Sequence, residues 1–188
     1  AHKMADARAR GARLVVIDPF CTNTAAKADE WVPIRPGTDG ALALALLKVM
    51  VVELGRVDVP FVKKSSNAPY LVCEDGQYLR DAQTGRPMIW DAAAGCARVF
   101  DAPGLGDPAI EGSYTHGGAV VRPAFQLLKS HLEKISVEEM AEVTTVPVAT
   151  IRRLAAEVSE AARIGSTIEI DGHCLPLRPA AIHFKRGS

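Results

Sequence analysis

The sequence predicts an α/β fold in which a mostly parallel, Rossmann-like sheet is flanked by helices. Three stretches carry this prediction: the strand ARLVVID at 12–18, the strand WVPI at 31–34, and a long helix from about Asp39 to Leu54. A polar connection separates the two strands, and a Pro-Gly turn joins the second strand to the helix. Strand, crossover, strand and helix in this order are typical of a mostly parallel sheet.

Local signals place the ends of the first elements. Residues 2–10 are helix-forming, and Gly11 is a C-terminal stop for that helix. The continuous apolar run 14–17 indicates a short buried strand, which Pro19 ends. Pro33 places the second strand at a sheet edge or marks its end, because proline donates no hydrogen bond to a ladder.

The middle of the chain, about residues 56–120, is rich in glycine, proline, asparagine and aspartate. The Asp-Gly dipeptide in EDGQ at 74–77 predicts a tight hairpin. We interpret this region as an insertion of hairpins and loops into a single α/β domain that spans 1–188. Its strand candidates are Tyr70–Cys73, Gln77–Arg80, Pro87–Asp91 and Ala97–Phe100.

Helices return after the insertion. Apolar residues recur at helical spacing through 123–135, which predicts a helix there. Ser136 and Glu139 have the spacing of a capping box for a short helix, VEEMAEV at 137–143, and a third helix is predicted over 150–162. The segment STIEI at 166–170 then predicts a further strand.

Charge and hydropathy limit the function classes. The chain has 22 basic and 22 acidic residues, which argues against a broad electrostatic hold on nucleic acid, so we expect no nucleic-acid partner. We find no apolar run long enough to span a bilayer and no signal peptide. The location is therefore unknown, with the cytoplasm as the default. Both ends break off abruptly, so we expect a fragment of a longer chain.

The four cysteines do not suggest a metal centre. Cys21, Cys73, Cys96 and Cys174 are far apart, and neither a CxxC pair nor a Cys/His cluster occurs. Zinc and iron–sulfur ligation within this chain are therefore not predicted, and we assign no metal ligand. No Ser-His-Asp spacing or catalytic carboxylate pair is evident either, so we assign no catalytic residue.

The turn PGTDG at 36–40 is the main candidate site. Gly37 lets the backbone pass close to a ligand, and Thr38 and Asp39 stand at a helix N-terminus. A carboxylate here can accept two N–H groups from a planar base, and guanine offers two side by side. The alternative is that Thr38 or Asp39 only caps the helix.

Asp18 is the second candidate. It ends the first strand at the carboxyl edge, where open α/β sheets bind ligands, and an acid there often accepts from ribose hydroxyls. The alternative is a turn-forming Asp-Pro pair. No GxGxxG occurs, so a standard dinucleotide site of the NAD type is not predicted.

Several motifs together resemble one enzyme family. GARLVVIDP, TAAKADEWVPIRPGTDGALALALL, GSYTHGGAVVRPAFQLLK and VPVATIRRLAAE are similar to segments of the bis-molybdopterin guanine dinucleotide oxidoreductases of the dimethyl sulfoxide reductase type. The polysulfide, thiosulfate and tetrathionate reductase branch is the most similar. The segment resembles the third domain of the catalytic subunit, which is an α/β unit that holds the guanosine end of one pterin dinucleotide.

The resemblance implies roles for the candidate residues. Gly37, Thr38 and Asp39 match the nucleotide-contacting turn, with Asp39 on the guanine edge, and Asp18 lies near the ribose. The family usually has arginine where this chain has Phe20, which puts one polar contact in doubt. The implied cofactor is the bis-molybdopterin guanine dinucleotide with molybdenum or tungsten, held by the parent enzyme. This chain alone could bind none.

The resemblance also implies partners. Family members take their metal ligand and iron–sulfur cysteines from segments that do not match this chain. We therefore expect a cofactor-binding module without turnover, which works with the remaining domains or an iron–sulfur subunit. Exposed apolar surface would let it form a homo-oligomer. The alternative is a stand-alone structural or interaction protein that has lost the cofactor.

Overall fold

The computed structural model describes residues 2–183, with side chains described from Met4 onward. The helices are α1 His2–Ala9, α2 Asp39–Leu47, α3 Val59–Ser65, α4 Ala124–Glu133, α5 Val137–Thr144 and α6 Val148–Ala161. The strands are β1 Val15–Ile17, β2 Glu30–Val32, β3 Leu71–Cys73, β4 Met88–Asp91, β5 Cys96–Val99, β6 Tyr114–His116, β7 Ala119–Pro123, β8 Thr167–Ile170 and β9 His173–Pro176.

The described strands form small sheets, and one pair is parallel. β1 and β2 run parallel, with Val15 opposite Glu30 and Ile17 opposite Val32. A three-stranded antiparallel sheet has the order β3-β7-β6, and β4-β5 and β8-β9 are antiparallel hairpins. The mixture of helices and strands is confirmed, whereas the prediction of a mostly parallel, Rossmann-like sheet is wrong for residues 2–183.

The segment STIEI shows one physical reason for this difference. Its strand, β8, turns back onto β9 through Asp171 and Gly172, both of which have left-handed backbone angles, with φ of 50° and 75°. Asp-Gly at two such positions is the signature of a tight two-residue hairpin turn. The strand therefore pairs with its chain neighbour, and β1 pairs only with β2 among the described residues.

The chain divides into two compact units. The first contains the described parts of Ala1–Met50, Ile135–Arg163 and Arg178–Ser188, and the second contains Val51–Lys134 and Ile164–Leu177. The predicted single domain over 1–188 stays a prediction.

The core of the first unit lies among β2, α2, α5 and α6. In α2 and the turn after it, Leu42, Ala45 and Val49 recur at helical spacing and are buried. α6 contributes Ile151 and Leu154 to the same cluster. The predicted helix over 39–54 is α-helical as far as Leu47 and π-helical over Lys48–Glu53.

Hairpins dominate the second unit. The predicted EDGQ hairpin is confirmed: Gly76 has a φ of 80°, and the Cys73 N–H donates to the Gln77 carbonyl at 2.9 Å. The predicted strand Gln77–Arg80 is not among the described strands, since Tyr78 and Arg80 pair with Val72 and Pro87 through isolated bridges.

Across residues 2–183, no helix combines the length and the apolar character that a bilayer crossing requires.

Candidate functional site

Two of the predicted positions lie at the same edge of the parallel pair. Asp18 directly follows β1, and its N–H donates to the carbonyl of Val32, the last residue of β2, at 3.2 Å. The chain then leaves β2 toward the PGTDG turn. Because β1 and β2 are parallel, both segments depart from their common carboxyl edge.

Asp18 makes a local turn and keeps part of its carboxylate available. Its Oδ1 accepts the Phe20 N–H at 3.0 Å, which closes an Asx turn over the Asp-Pro pair. The Asp18 carbonyl accepts the indole N–H of Trp31 at 2.9 Å. The turn-forming alternative is therefore present in the structure. Within residues 2–183, Oδ2 accepts no hydrogen bond, so the side chain retains acceptor capacity.

Gly37 is required by the backbone. Its φ is 76°, in the region that side chains other than glycine rarely adopt. A Cβ built there would meet nothing within 4 Å, so the space beside the turn is open. This open space would allow a ligand to approach the backbone at Gly37, and its binding there stays a prediction.

The side chains of Thr38 and Asp39 do not cap α2. Thr38 is the N-cap residue, but its hydroxyl donates to the Arg35 carbonyl at 2.7 Å and bonds no N–H of the helix. Asp39 is the first helical residue, and its half-buried carboxylate accepts no hydrogen bond from residues 2–183. A carboxylate in this position can accept two N–H groups from a ligand.

The turn is held from the far end of α5, through residues that the sequence interpretation missed. The Arg35 N–H donates to the Thr144 carbonyl at 2.9 Å. Thr144 is fully buried, and its hydroxyl donates to the Met140 carbonyl at 2.7 Å and accepts the Val146 N–H at 3.2 Å. The next residue, Thr145, is left-handed, with φ of 63°. The sequence TTVP gives a signal for this helix end, because helices usually stop before proline.

An ion cluster ties β2 to α6. Arg153 pairs with Glu30, and it also pairs with Glu157 at 3.0 Å. Arg13 pairs with Glu30 at 2.5 Å and with Glu157 at 2.6 Å. Arg153 therefore does not lie on a purely solvated helix face.

These contacts shift two pKa values. Hydrogen bonds to Glu30, and then to Glu157, raise the pKa of Arg153. Burial acts to raise the pKa of Glu157, but the hydrogen bonds from Arg153 and Arg13 outweigh it and lower that pKa. Both shifts favour the charged forms of Arg153 and Glu157, whose ion pairs connect α6 to β2.

The described residues, 2–183, contain no group of three or more histidine, cysteine, aspartate or glutamate side chains that could hold a metal ion. All four cysteines are free thiols. Near the turn, the carboxylates of Asp18 and Asp39 can accept hydrogen bonds.

No family model matches the chain. Several curated proteins are similar to most of it, including the following three. A sulfite dehydrogenase subunit of Allochromatium vinosum is 38% identical over 82% of this chain. A putative dimethyl sulfoxide reductase catalytic subunit of Halobacterium salinarum is 34% identical over 80% of it. The alpha subunit of perchlorate reductase from Dechloromonas aromatica is 30% identical over 86% of it.

The chain spans about one fifth of the length of these relatives, at 17%, 19% and 22% respectively. Among solved structures, acetylene hydratase from Pelobacter acetylenicus is similar with a TM-score of 0.48 at 21% identity, over 87% of this chain and 14% of that one. The curated relatives show that the chain belongs to the dimethyl sulfoxide reductase family of molybdopterin oxidoreductases.

Proposed function

We propose that this segment is the third domain of such a catalytic subunit, where it holds the guanosine end of a molybdopterin guanine dinucleotide. The observation that carries the proposal is the Asp39 carboxylate, which begins α2 beside an open glycine turn and has no hydrogen-bond partner within residues 2–183. Guanine presents its N1–H and exocyclic amine side by side, and one carboxylate can accept both. Adenine presents no such pair of donors.

The remaining candidate residues have supporting roles in this proposal. Gly37 keeps the turn clear of side-chain atoms, and the Thr38 hydroxyl, bonded to the Arg35 carbonyl, fixes the start of α2. Asp18 lies at the same strand edge and has one carboxylate oxygen to offer a ribose hydroxyl. Phe20 is 74% exposed where the family usually has arginine, so we assign no polar contact to it.

We propose that turnover belongs to the parent subunit. When bound there, the cofactor supplies a molybdenum or tungsten centre for electron transfer, and the metal ligand and iron–sulfur cysteines come from other segments. The partners of this segment are then the remaining domains or an iron–sulfur subunit. A segment that binds only the guanosine end of the cofactor cannot hold the metal and the substrate in the geometry that the reaction needs, because catalysis requires the reacting groups to be aligned. The polysulfide, thiosulfate and tetrathionate branch stays a prediction.

The proposal is tested by calorimetric titration of the chain with GDP and with ADP. We expect GDP to bind more tightly than ADP. Asp39→Asn removes the negative acceptor and should weaken GDP binding about tenfold or more, since hydrogen bonds to charged groups contribute about 1.5–3 kcal/mol. Asp75→Asn, in the hairpin of the second unit, is the matched control and should leave GDP binding unchanged.

A titration that shows no preference for GDP would favour the alternative function. If the folded chain binds GDP and ADP equally, or neither, the guanine-binding role is wrong for this chain. A stand-alone structural or interaction protein that has lost the cofactor would then be the better account, and its exposed apolar residues would be the surface to map.

A further inference from the structure

The second unit contains a cavity of about 250 Å³ that the proposed nucleotide role does not use. Its lining comes from the end of α3, from the segment before β3, from β4, and from the loops after β5 and before β6. The apolar lining residues are Pro69, Tyr70, Ile89, Phe100 and Pro108. An engineered apolar cavity of about 150 Å³ is large enough to hold benzene, so this one has room for a single ring with a small substituent.

Aromatic rings form part of the wall and are held in place by the fold. The rings of Tyr70 and Phe100 lie with centroids 5.4 Å apart, tilted by 59°. Tyr78 packs edge-on against Tyr70 at 5.7 Å. The Phe100 N–H donates to the Pro87 carbonyl at 3.1 Å, and Tyr70 forms a bridge with Ile89. The wall is therefore formed before a ligand arrives, which limits the entropy lost on binding.

The polar lining residues are cationic or hydroxylic, and none is acidic. Lys63 is paired with Asp107 at 2.5 Å, so its charge is largely offset. Lys64 is exposed and has no acidic partner within residues 2–183. The Ser66 hydroxyl donates to the Val62 carbonyl at 2.7 Å and accepts the Ala68 N–H at 3.1 Å, so its proton is already used. The unpaired positive charge at the rim is thus that of Lys64.

We propose that this cavity binds a one-ring aromatic carboxylate, with the ring against Tyr70 and Phe100 and the carboxylate beside Lys64. The aromatic and apolar wall selects a flat ring, and the absence of an acidic residue from the described lining favours an anion over a cation. A single ammonium at the rim matches a single carboxylate. No residue of the turn at Asp39 lines this cavity, so the two sites are formed by different residues.

The test is a titration of the whole chain with benzoate and with its neutral counterpart benzyl alcohol, followed through the aromatic NMR resonances. Benzoate should saturate in the millimolar range and bind about threefold to fivefold more tightly than benzyl alcohol, the effect of one exposed ion pair. Lys64→Gln should remove this preference while leaving benzyl alcohol binding unchanged. Phe100→Ala should weaken both probes.

Lys27→Gln, an exposed lysine of the first unit, is the matched control and should behave as the unsubstituted chain. Lys64 is on the surface, so its variant should fold, and this can be checked by circular dichroism. The proposal is overturned if benzoate does not saturate, if the two probes bind equally, or if Lys64→Gln weakens both. The proposal is also overturned if the Lys27→Gln control abolishes the response of the Tyr70 and Phe100 resonances to benzoate.

Discussion

The backbone N–H of Arg35 donates to the carbonyl oxygen of Thr144 at 2.9 Å, across 109 positions of the chain. This bond fastens the segment that enters the PGTDG turn to the end of α5. The Arg35 carbonyl in turn accepts the Thr38 hydroxyl at 2.7 Å. The start of α2, where Asp39 lies, is therefore positioned by a buried helix end rather than by the turn alone.

The first prediction concerns the buried hydroxyl at that helix end. Thr144→Val keeps the side-chain volume but leaves the Val146 N–H without its acceptor, so it should lower the free energy of unfolding by about 1–3 kcal/mol. Thr150→Val is the control, because the Thr150 hydroxyl forms no hydrogen bond within residues 2–183, and its effect should stay within about 0.5 kcal/mol. Urea unfolding measures both. Equal effects would show that the Thr144 hydroxyl has no special role.

The second prediction compares two glycines. A Cβ at Gly106 would lie 2.6 Å from the Ala93 Cβ and 2.8 Å from Asp91 Oδ1, so Gly106→Ala should destabilise the fold by about 1–3 kcal/mol through overpacking. Gly40 is in the first turn of α2 with nothing within 4 Å of such a Cβ. Gly40→Ala should therefore stabilise the chain by about 0.4–1 kcal/mol. Thermal unfolding of both variants checks the signs, and a stabilising Gly106→Ala would contradict this packing.

The third prediction concerns pH. Asp91 is fully buried, and its carboxylate accepts the N–H groups of Gly106, Ala94 and Ala93 and a bond from Arg98 at 3.1 Å. The Gly106 N–H is the largest influence that lowers the pKa of Asp91 below its ordinary value of 3.8. Because the folded pKa is depressed, this stabilisation is present above pH 3.8 and is lost as the pH falls through the folded value.

Asp91→Asn should therefore lower the urea midpoint at pH 7 and have a smaller effect at acid pH, where the carboxylate of the unsubstituted chain is protonated. Asp101→Asn is the control, since that carboxylate pairs on the surface with Arg86 at 2.6 Å. A destabilisation by Asp91→Asn that is the same at both pH values would show that the ionised form is not what the site stabilises.

The fourth prediction concerns the ion cluster between β2 and α6. Arg153 and Glu30 are 39% and 24% exposed, so solvent screens their interaction. A double-mutant cycle with Arg153→Met and Glu30→Gln should give a coupling energy of about 1 kcal/mol or less. The coupling should shrink as salt is added, because the screening length falls. A coupling that does not depend on salt would indicate packing rather than charge.

Several features followed from the sequence because they depend on nearby residues. The EDGQ hairpin, the N-cap contact of Ser136 with the Glu139 N–H, and the end of α1 before Gly11 all depend on local turn and capping chemistry. The strand pair β1 and β2 followed from its apolar runs. The positions of Asp18 and the PGTDG turn at the carboxyl edge of this pair were predicted from the order of strands and helix in the sequence.

Other features depend on tertiary contacts and could not be predicted in this way. Nothing local to Arg35 shows that its N–H bonds Thr144, and nothing in the apolar run after Asp39 marks the change to a π-helix at Lys48. The Asp171-Gly172 turn, by contrast, could have been predicted locally, because Asp-Gly is a hairpin signal. The prediction of a mostly parallel sheet did not use that signal.

The most direct test of the central claim asks whether the Asp39 carboxylate meets the exocyclic amine of guanine. Inosine diphosphate lacks only that amine, so GDP and inosine diphosphate are titrated against the unsubstituted chain and against Asp39→Asn. We expect that loss of the amine weakens binding to the unsubstituted chain about tenfold and has little further effect on binding to Asp39→Asn. The same loss in both proteins, or no loss in either, would contradict a contact between Asp39 and the guanine edge.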